Sequence, residues 1–303
     1  MNNFIEKGSF EEVHSYALAL LQENPNQLNL SLQVTFPIGI VKKPALTDVL
    51  PDAEDFQKVE KPAHLHINHG MFIKENGIQN LINELKNKKN SNRAIISLIH
   101  QDDIVGKGDN PIPSFMIIQA AIENNTLFLT TYFRALEVST FLRINLEEIR
   151  MILNQIHSNF DEIESVNLHI FAFRAYIQKD INPLKRARIE LLKETEILKT
   201  LESPIKKDLI PLLQEKIRTK TTVVDDHSFH LILEILQNAN VNDAIPQLLK
   251  ETYTIKIVQE IIYTSNEIKK VRSVNSHSAK IDELYATYSI QIQKLIDEIA
   301  KIS

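Results

Sequence analysis

The chain has 303 residues, 43% hydrophobic and 24% charged, with a net charge of −5. Such a chain can bury a full core, and it lacks the basic balance of a dedicated nucleic-acid binder. Cysteine is absent, which excludes disulfides, thiolate metal sites and thiol nucleophiles. No run approaches the ~20 apolar residues of a membrane helix, and the start has neither the basic flank nor the apolar centre of a secretory signal, so a cytoplasmic protein is expected. Six glycines, against about 20 in an average chain of this length, predict helix-rich structure without a glycine-rich phosphate loop.

Residues 10–23 carry apolar positions at helical spacing behind Ser9, a candidate N-cap. Residues 28–41 begin with strict alternation and predict a strand or hairpin arm. The proline-punctuated stretch 43–63 reads as an irregular connection, and 78–85 as a short helix. Residues 93–100 predict a buried strand, and 101–113 a loop. Residues 115–122 and 126–133 predict two strands joined at Glu123-Asn124-Asn125, where asparagines tolerate positive φ. Residues 145–160 predict an amphipathic helix and 165–177 another strand. Beyond about residue 184 the pattern becomes helical throughout, in segments near 185–201, 205–219, 227–238, 243–270 and 277–302. Thr221–Val224 is the one further strand candidate there. The expected architecture is α+β: a mixed-sheet core over residues 1–183, then an all-helical region over 184–303, a bundle or dimerising arm.

Arg134 ends a strand, where a guanidinium can clamp a phosphate bidentately. Eleven residues on, Asn145 offers a donor and an acceptor side by side, which suits the edge of a pyrimidine ring. His169 lies on a later alternating strand. Each has a plainer reading: Arg134 pairing with Glu137, Asn145 as an N-cap with Glu148 completing a capping box, and His169 as a core histidine. His64, His66 and His69 place two imidazoles on one strand face, yet no acidic residue lies within the motif, so no metal site is expected. Gly106-Lys107-Gly108-Asp109 lacks the strand–loop–helix setting of a P-loop and reads as a turn.

In their order and spacing these residues resemble the thymidylate synthase family over residues 91–175, under a third of the chain. That family ends a strand with Tyr-Gln-Arg-Ser-x-Asp, continues with Leu-Pro-Phe-Asn-Ile and later carries His-x-Tyr. The stretches here are Tyr132-Phe133-Arg134-Ala135-Leu136-Glu137, Leu142-Arg143-Ile144-Asn145-Leu146 and His169-Ile170-Phe171. Upstream, Ser91-Asn92-Arg93-Ala94-Ile95-Ile96-Ser97 is similar to the family's Ser-Arg-Arg-x-x-x-Ser strand, whose arginines reach the phosphate of the partner subunit. Only Arg93 of that pair is present. The family's Pro-Cys-His nucleophile motif corresponds to Pro113-Ser114-Phe115, and Glu137 stands at its aspartate. Ser114 and Glu137 are therefore the catalytic positions that the resemblance implies, without the thiolate.

The resemblance implies a homodimer in which Arg93 and Arg134 hold phosphate, Asn145 the base and His169 the sugar. A serine hydroxyl needs a base to become a nucleophile. The leading expectation is therefore a pyrimidine-nucleotide-binding protein without methyl transfer, a sensing or regulatory module with antiviral defence as one setting. The alternatives are an active pyrimidine C5 methyl- or hydroxymethyltransferase with a non-cysteine nucleophile, or a non-catalytic scaffold. No cofactor is required, and folate binding is doubtful because the chain has no tryptophan. The expected ligand is a pyrimidine nucleoside monophosphate, and the helical region is the expected contact for a protein partner. Neither a membrane nor a nucleic acid is expected as a partner.

Overall fold

A computed structural model describes residues 4–105, 111–178, 185–202, 209–219, 223–238, 244–275 and 278–302. The chain divides into two compact units. The first comprises Met1–Pro62, Ile67–Lys107 and Ile112–Asp180, and the second Ala63–His66, Gly108–Pro111 and Ile181–Ser303. The fold is α+β.

The first unit is built on a mixed sheet of seven strands: β1 (Ile5–Glu6), β2 (Asn26–Pro37), β3 (Ile95–Ser97), β4 (Phe115–Glu123), β5 (Thr126–Phe133), β6 (Leu136–Glu137) and β7 (Ser165–Tyr176). Their order is β1-β2-β7-β5-β4-β3, with β6 pairing β7 beyond the end of β5. β1 runs parallel to β2, and β5 and β6 run parallel to β7; the other pairings are antiparallel. The β4–β5 hairpin turns at Asn124 and Asn125, with φ of 48° and 60°. Two successive residues at positive φ make the turn whose twist matches that of the strands, and asparagine accepts that conformation at low cost.

Helices α1 (Phe10–Leu21), α2 (Leu50–Gln57), α3 (Gly70–Ile73), α4 (Gly77–Asn87), α5 (Gln101–Ile104) and α6 (Phe141–His157) complete this unit. α1 starts where expected: Ser9 Oγ accepts from Glu12 N, and the Glu12 carboxylate accepts from Gly8 N at 2.9 Å. Alternation along the central strands buries Leu30, Leu32, Val34, Leu168, Ile170 and Leu129 on one face. α6 adds Leu142, Ile149, Leu153 and Ile156 to the same core.

Several boundaries differ from the sequence expectation. The irregular stretch 43–63 contains α2, started by Pro51 in its first turn, where a missing N–H costs nothing. The strand expected over 93–100 shrinks to β3, and the loop after it contains α5. α6 begins at Phe141, not Asn145, because Glu137 rather than Asn145 satisfies its first amides. The strand expected over 28–41 ends at Pro37 and passes into a 3-10 turn, Ile38–Val41.

The second unit is helical: α7 (Glu194–Glu202), α8 (Leu209–Arg218), α9 (His227–Gln237), α10 (Thr252–Val274) and α11 (Ala279–Ile299). Phe229, Ile232, Ile257, Ile261, Ile292 and Leu295 belong to its apolar core. At its centre lies a balanced polar group. Glu190 accepts from Ser228 N and Oγ, each at 2.8 Å, and pairs with Lys216 at 2.8 Å. Arg186 holds Asp225 at 2.7 Å, and Lys269 holds Asp226 at 2.8 Å. Burial pushes the Tyr288 phenol well above its ordinary pKa. The strand candidate Thr221–Val224 falls partly outside the described residues, and its described part, Val223 and Val224, is not a strand.

Candidate functional site

Two of the candidate positions meet at one end of the sheet. Ser114 immediately precedes β4, and Arg134 immediately follows β5. The Arg134 amide donates to the Ser114 carbonyl at 3.0 Å. The Arg134 side chain folds back over the same turn: Nε donates to the Pro113 carbonyl at 3.2 Å and a terminal nitrogen to Ile112 at 3.0 Å. These bonds fix the guanidinium beside Ser114. Among the described residues the Ser114 hydroxyl has no base hydrogen-bonded to it.

Phe115 carries the contact inward. Its ring stacks on Phe133, with centroids 4.5 Å apart, and meets the His69 ring edge-on at 5.5 Å. His69 Nδ1 lies 2.9 and 3.0 Å from the two oxygens of Glu148, a carboxylate with no exposed surface. Glu148 also accepts from Gln57 Nε2 at 2.8 Å and from Asn145 Nδ2 at 3.0 Å. Asn145 is thus inside the second turn of α6, buried at 3% exposure, and spends one amide hydrogen on Glu148. The segment that brings in His69 is pinned to the end of α2. Asn68 Nδ2 donates to the Asp55 and Lys58 carbonyls, and His69 N donates to Phe56 O at 2.9 Å. A Cβ at Gly70 would stand 2.2 Å from the Lys58 carbonyl oxygen, so only glycine permits this approach.

Glu137 is a capping residue. Its carboxylate accepts from Ser139 N at 2.8 Å, Thr140 N at 2.8 Å, Phe141 N at 3.0 Å and Gln178 N at 3.2 Å, besides the Ser139 hydroxyl. With both oxygens engaged by these donors, it serves the N-terminus of α6. It makes no ion pair with Arg134 among the described contacts.

His169 and Arg93 lie elsewhere. His169 is on the face of β7 opposite the buried alternates Leu168 and Ile170, and its Nε2 pairs with Ser31 Oγ at 2.9 Å. Asn145 belongs to the helical layer that covers the other face, so one nucleotide cannot bridge the two. Burial pushes the His169 pKa down. Arg93 is exposed at the start of β3, where Ala94 O accepts from Ala120 N. Six residues of β4 separate that point from Ser114, about 20 Å at 3.3 Å per residue.

The sequence alone does not single out Glu148 or Gln57 as site residues, and it groups His69 only with the other histidines. The usable signal was the placement of Asn145 and Glu148 on the stripe of α6 that also carries Ile149 and Ile152: polar side chains at core spacing demand polar partners. His64 and His66 fall in the helical unit, where Arg186 N donates to His64 O at 2.8 Å. Among the described residues no group of three or more histidines and acids is placed to hold a metal. Gly106-Lys107-Gly108-Asp109 lies outside the described residues. No helix among the described residues is long and apolar enough to cross a membrane. No protein-family model matches the chain, and no curated protein sequence matches it.

Proposed function

We propose that this chain is a thymidylate synthase-like protein that binds a pyrimidine nucleoside monophosphate without methylating it and acts as a sensing or regulatory module. One observation carries the reading: the Arg134 amide bonds Ser114 at the end of the sheet, and Phe115, the next residue, packs on His69 of the Asn145–Glu148–His69 group. In this reading Arg134 meets the phosphate and Asn145 the base. The unactivated hydroxyl of Ser114 favours binding over transfer. The Arg134 guanidinium is pre-set by backbone carbonyls, which lowers the ordering cost of clamping an anion.

The open sheet face supports a homodimer. At alternate positions along residues 31–35, 117–121, 128–132, 167–173 and 95–97, the central part of this face carries no Lys, Arg, Asp or Glu, although such residues make up 24% of the chain; Glu6 and Glu123 lie at its margins. Phe173 and Ile95 are exposed, and Tyr132 stacks on Phe171 at 5.5 Å. Interface centres are depleted in charge and enriched in aromatics, and an uncharged face finds its match in a second copy of itself. Arg93 then belongs near that interface, and the helical unit is left to meet a protein partner.

Thermal unfolding with a panel of nucleotides tests the proposal. A pyrimidine monophosphate at 100 times its Kd should stabilise the protein by about 2.7 kcal/mol, and Arg134→Ala should abolish the shift. Failure of every nucleotide to raise Tm would overturn the reading.

A further inference from the structure

Glu148 organises three side chains, His69, Gln57 and Asn145. Each of its oxygens accepts from His69 and from one carboxamide, Gln57 on one side and Asn145 on the other. With every neighbour donating to the carboxylate, His69 carries a hydrogen at Nδ1, and a ring in the Nδ1–H form presents Nε2 as a bare acceptor. The ring cannot turn away from this arrangement. Phe56 lies 5.1 Å from its centroid, tilted by 54°, and Phe115 lies 5.5 Å away at 88°.

The inner and outer ends of this group differ. All its bonds run inward to Glu148, whereas His69 Nε2 and Asn145 Oδ1 have no hydrogen bond among the described residues. Both residues are more than nine-tenths buried, at 4% and 3% exposure. A network that served only to fix the core would satisfy both ends, since each buried polar atom left bare costs about 1–3 kcal/mol. An ordered inner end and an unspent outer end are what a prepared ligand contact requires.

We infer that His69 is a ligand-contact residue of this site, its Nε2 accepting a hydrogen bond from an N–H or O–H of the bound nucleotide, and that Glu148 is the residue that positions it. The identity of the ligand rests on the function proposed above; the fixed ring and its uncommitted Nε2 do not. The donor has two sources in dUMP: the ring N3–H or the sugar hydroxyl.

The test uses the full wild-type chain and two readouts. Diethyl pyrocarbonate acylates unprotonated, accessible imidazole nitrogens, and peptide mass spectrometry reads each histidine separately. His69 should be modified in the free protein and protected at least tenfold by saturating dUMP. The 3-methyl analogue, dCMP and the 3′-deoxy analogue then identify the donor by which of them fails to protect. Nitrogen-15 spectra of labelled histidine should show His69 in the Nδ1–H form, with Nε2 shifting when nucleotide is added. An unmodified His69 in the free protein, or an Nε2–H form, would overturn the inference. Equal modification with a nucleotide that still gives an Arg134-dependent Tm shift would remove His69 from the contact and leave the proposed function standing. If no nucleotide protects His69 or shifts Tm, both readings fall together.

Discussion

Replacing Glu137 by alanine separates a structural carboxylate from a catalytic one. Its two oxygens accept from Ser139 N, Thr140 N, Phe141 N and Gln178 N at 2.8–3.2 Å, and from the Ser139 hydroxyl. Losing a helix N-cap costs about 1 kcal/mol, and a donor stripped of its acceptor costs up to about 1–3 kcal/mol when buried, less at these part-buried amides. Water entering the space left by the side chain recovers part of this, so the expected loss is about 3–5 kcal/mol. For a unit of this size that lowers Tm by roughly 6–20 °C. Glu137→Gln keeps one acceptor but turns an amide NH2 toward donors, so it should lose nearly as much. Urea unfolding followed by far-ultraviolet circular dichroism measures the loss, and hydrogen exchange on peptides covering residues 138–146 should place it at the start of α6. A loss below about 1 kcal/mol, with α6 protection unchanged, would refute the capping argument. It would return Glu137 to the catalytic role that the family resemblance implies.

The open sheet face predicts that Phe171→Lys with Phe173→Glu converts a dimer to a monomer in sedimentation velocity, with little change in the circular dichroism spectrum; a wild-type monomer at tens of micromolar would refute the interface. Burial of His14, whose Nε2 pairs with Val138 O at 2.9 Å, holds its pKa below the usual 6.5, and Arg143 lowers it further. The unfolded chain therefore takes up the proton first as pH falls. Stability present above pH 6.5 should decline below it, by at most about 1.4 kcal/mol per pH unit for this group, until the folded His14 protonates too. His169 adds in the same direction. Replacing both histidines by glutamine should flatten the pH 5–6.5 segment of the unfolding profile, and an unchanged slope would show that other groups titrate there. The Arg143 pairs with Glu11 and Asp48, which hold those carboxyls below their usual range, act only at lower pH.

Local chemistry was enough for much of the fold. Alternation marked β2, β5 and β7 because one face of each is buried, and the asparagine pair marked the hairpin because positive φ favours that side chain. Ser9 announced α1 through a bond made within four residues. Helical periodicity beyond residue 184 marked the second unit's helices for the same reason: the information lies within a few turns.

Where an element's end depends on a residue distant in space or on a backbone partner, the sequence by itself was silent. It could not show that Glu137 starts α6, that α2 interrupts the stretch 43–63, or that β3 keeps only three residues. Candidate residue types at 93, 114, 134, 145 and 169 could be named from chemistry and family order, but their company could not. Only the tertiary structure put Ser114 beside Arg134, joined Asn145 to His69 through Glu148, and sent His169 to the other face. The physical reason is that a buried carboxylate chooses its donors from the whole fold. Asn145 and Glu148 lie three residues apart, whereas Gln57 and His69 come from about 80 to 90 residues away, and only packing brings such groups within 3 Å.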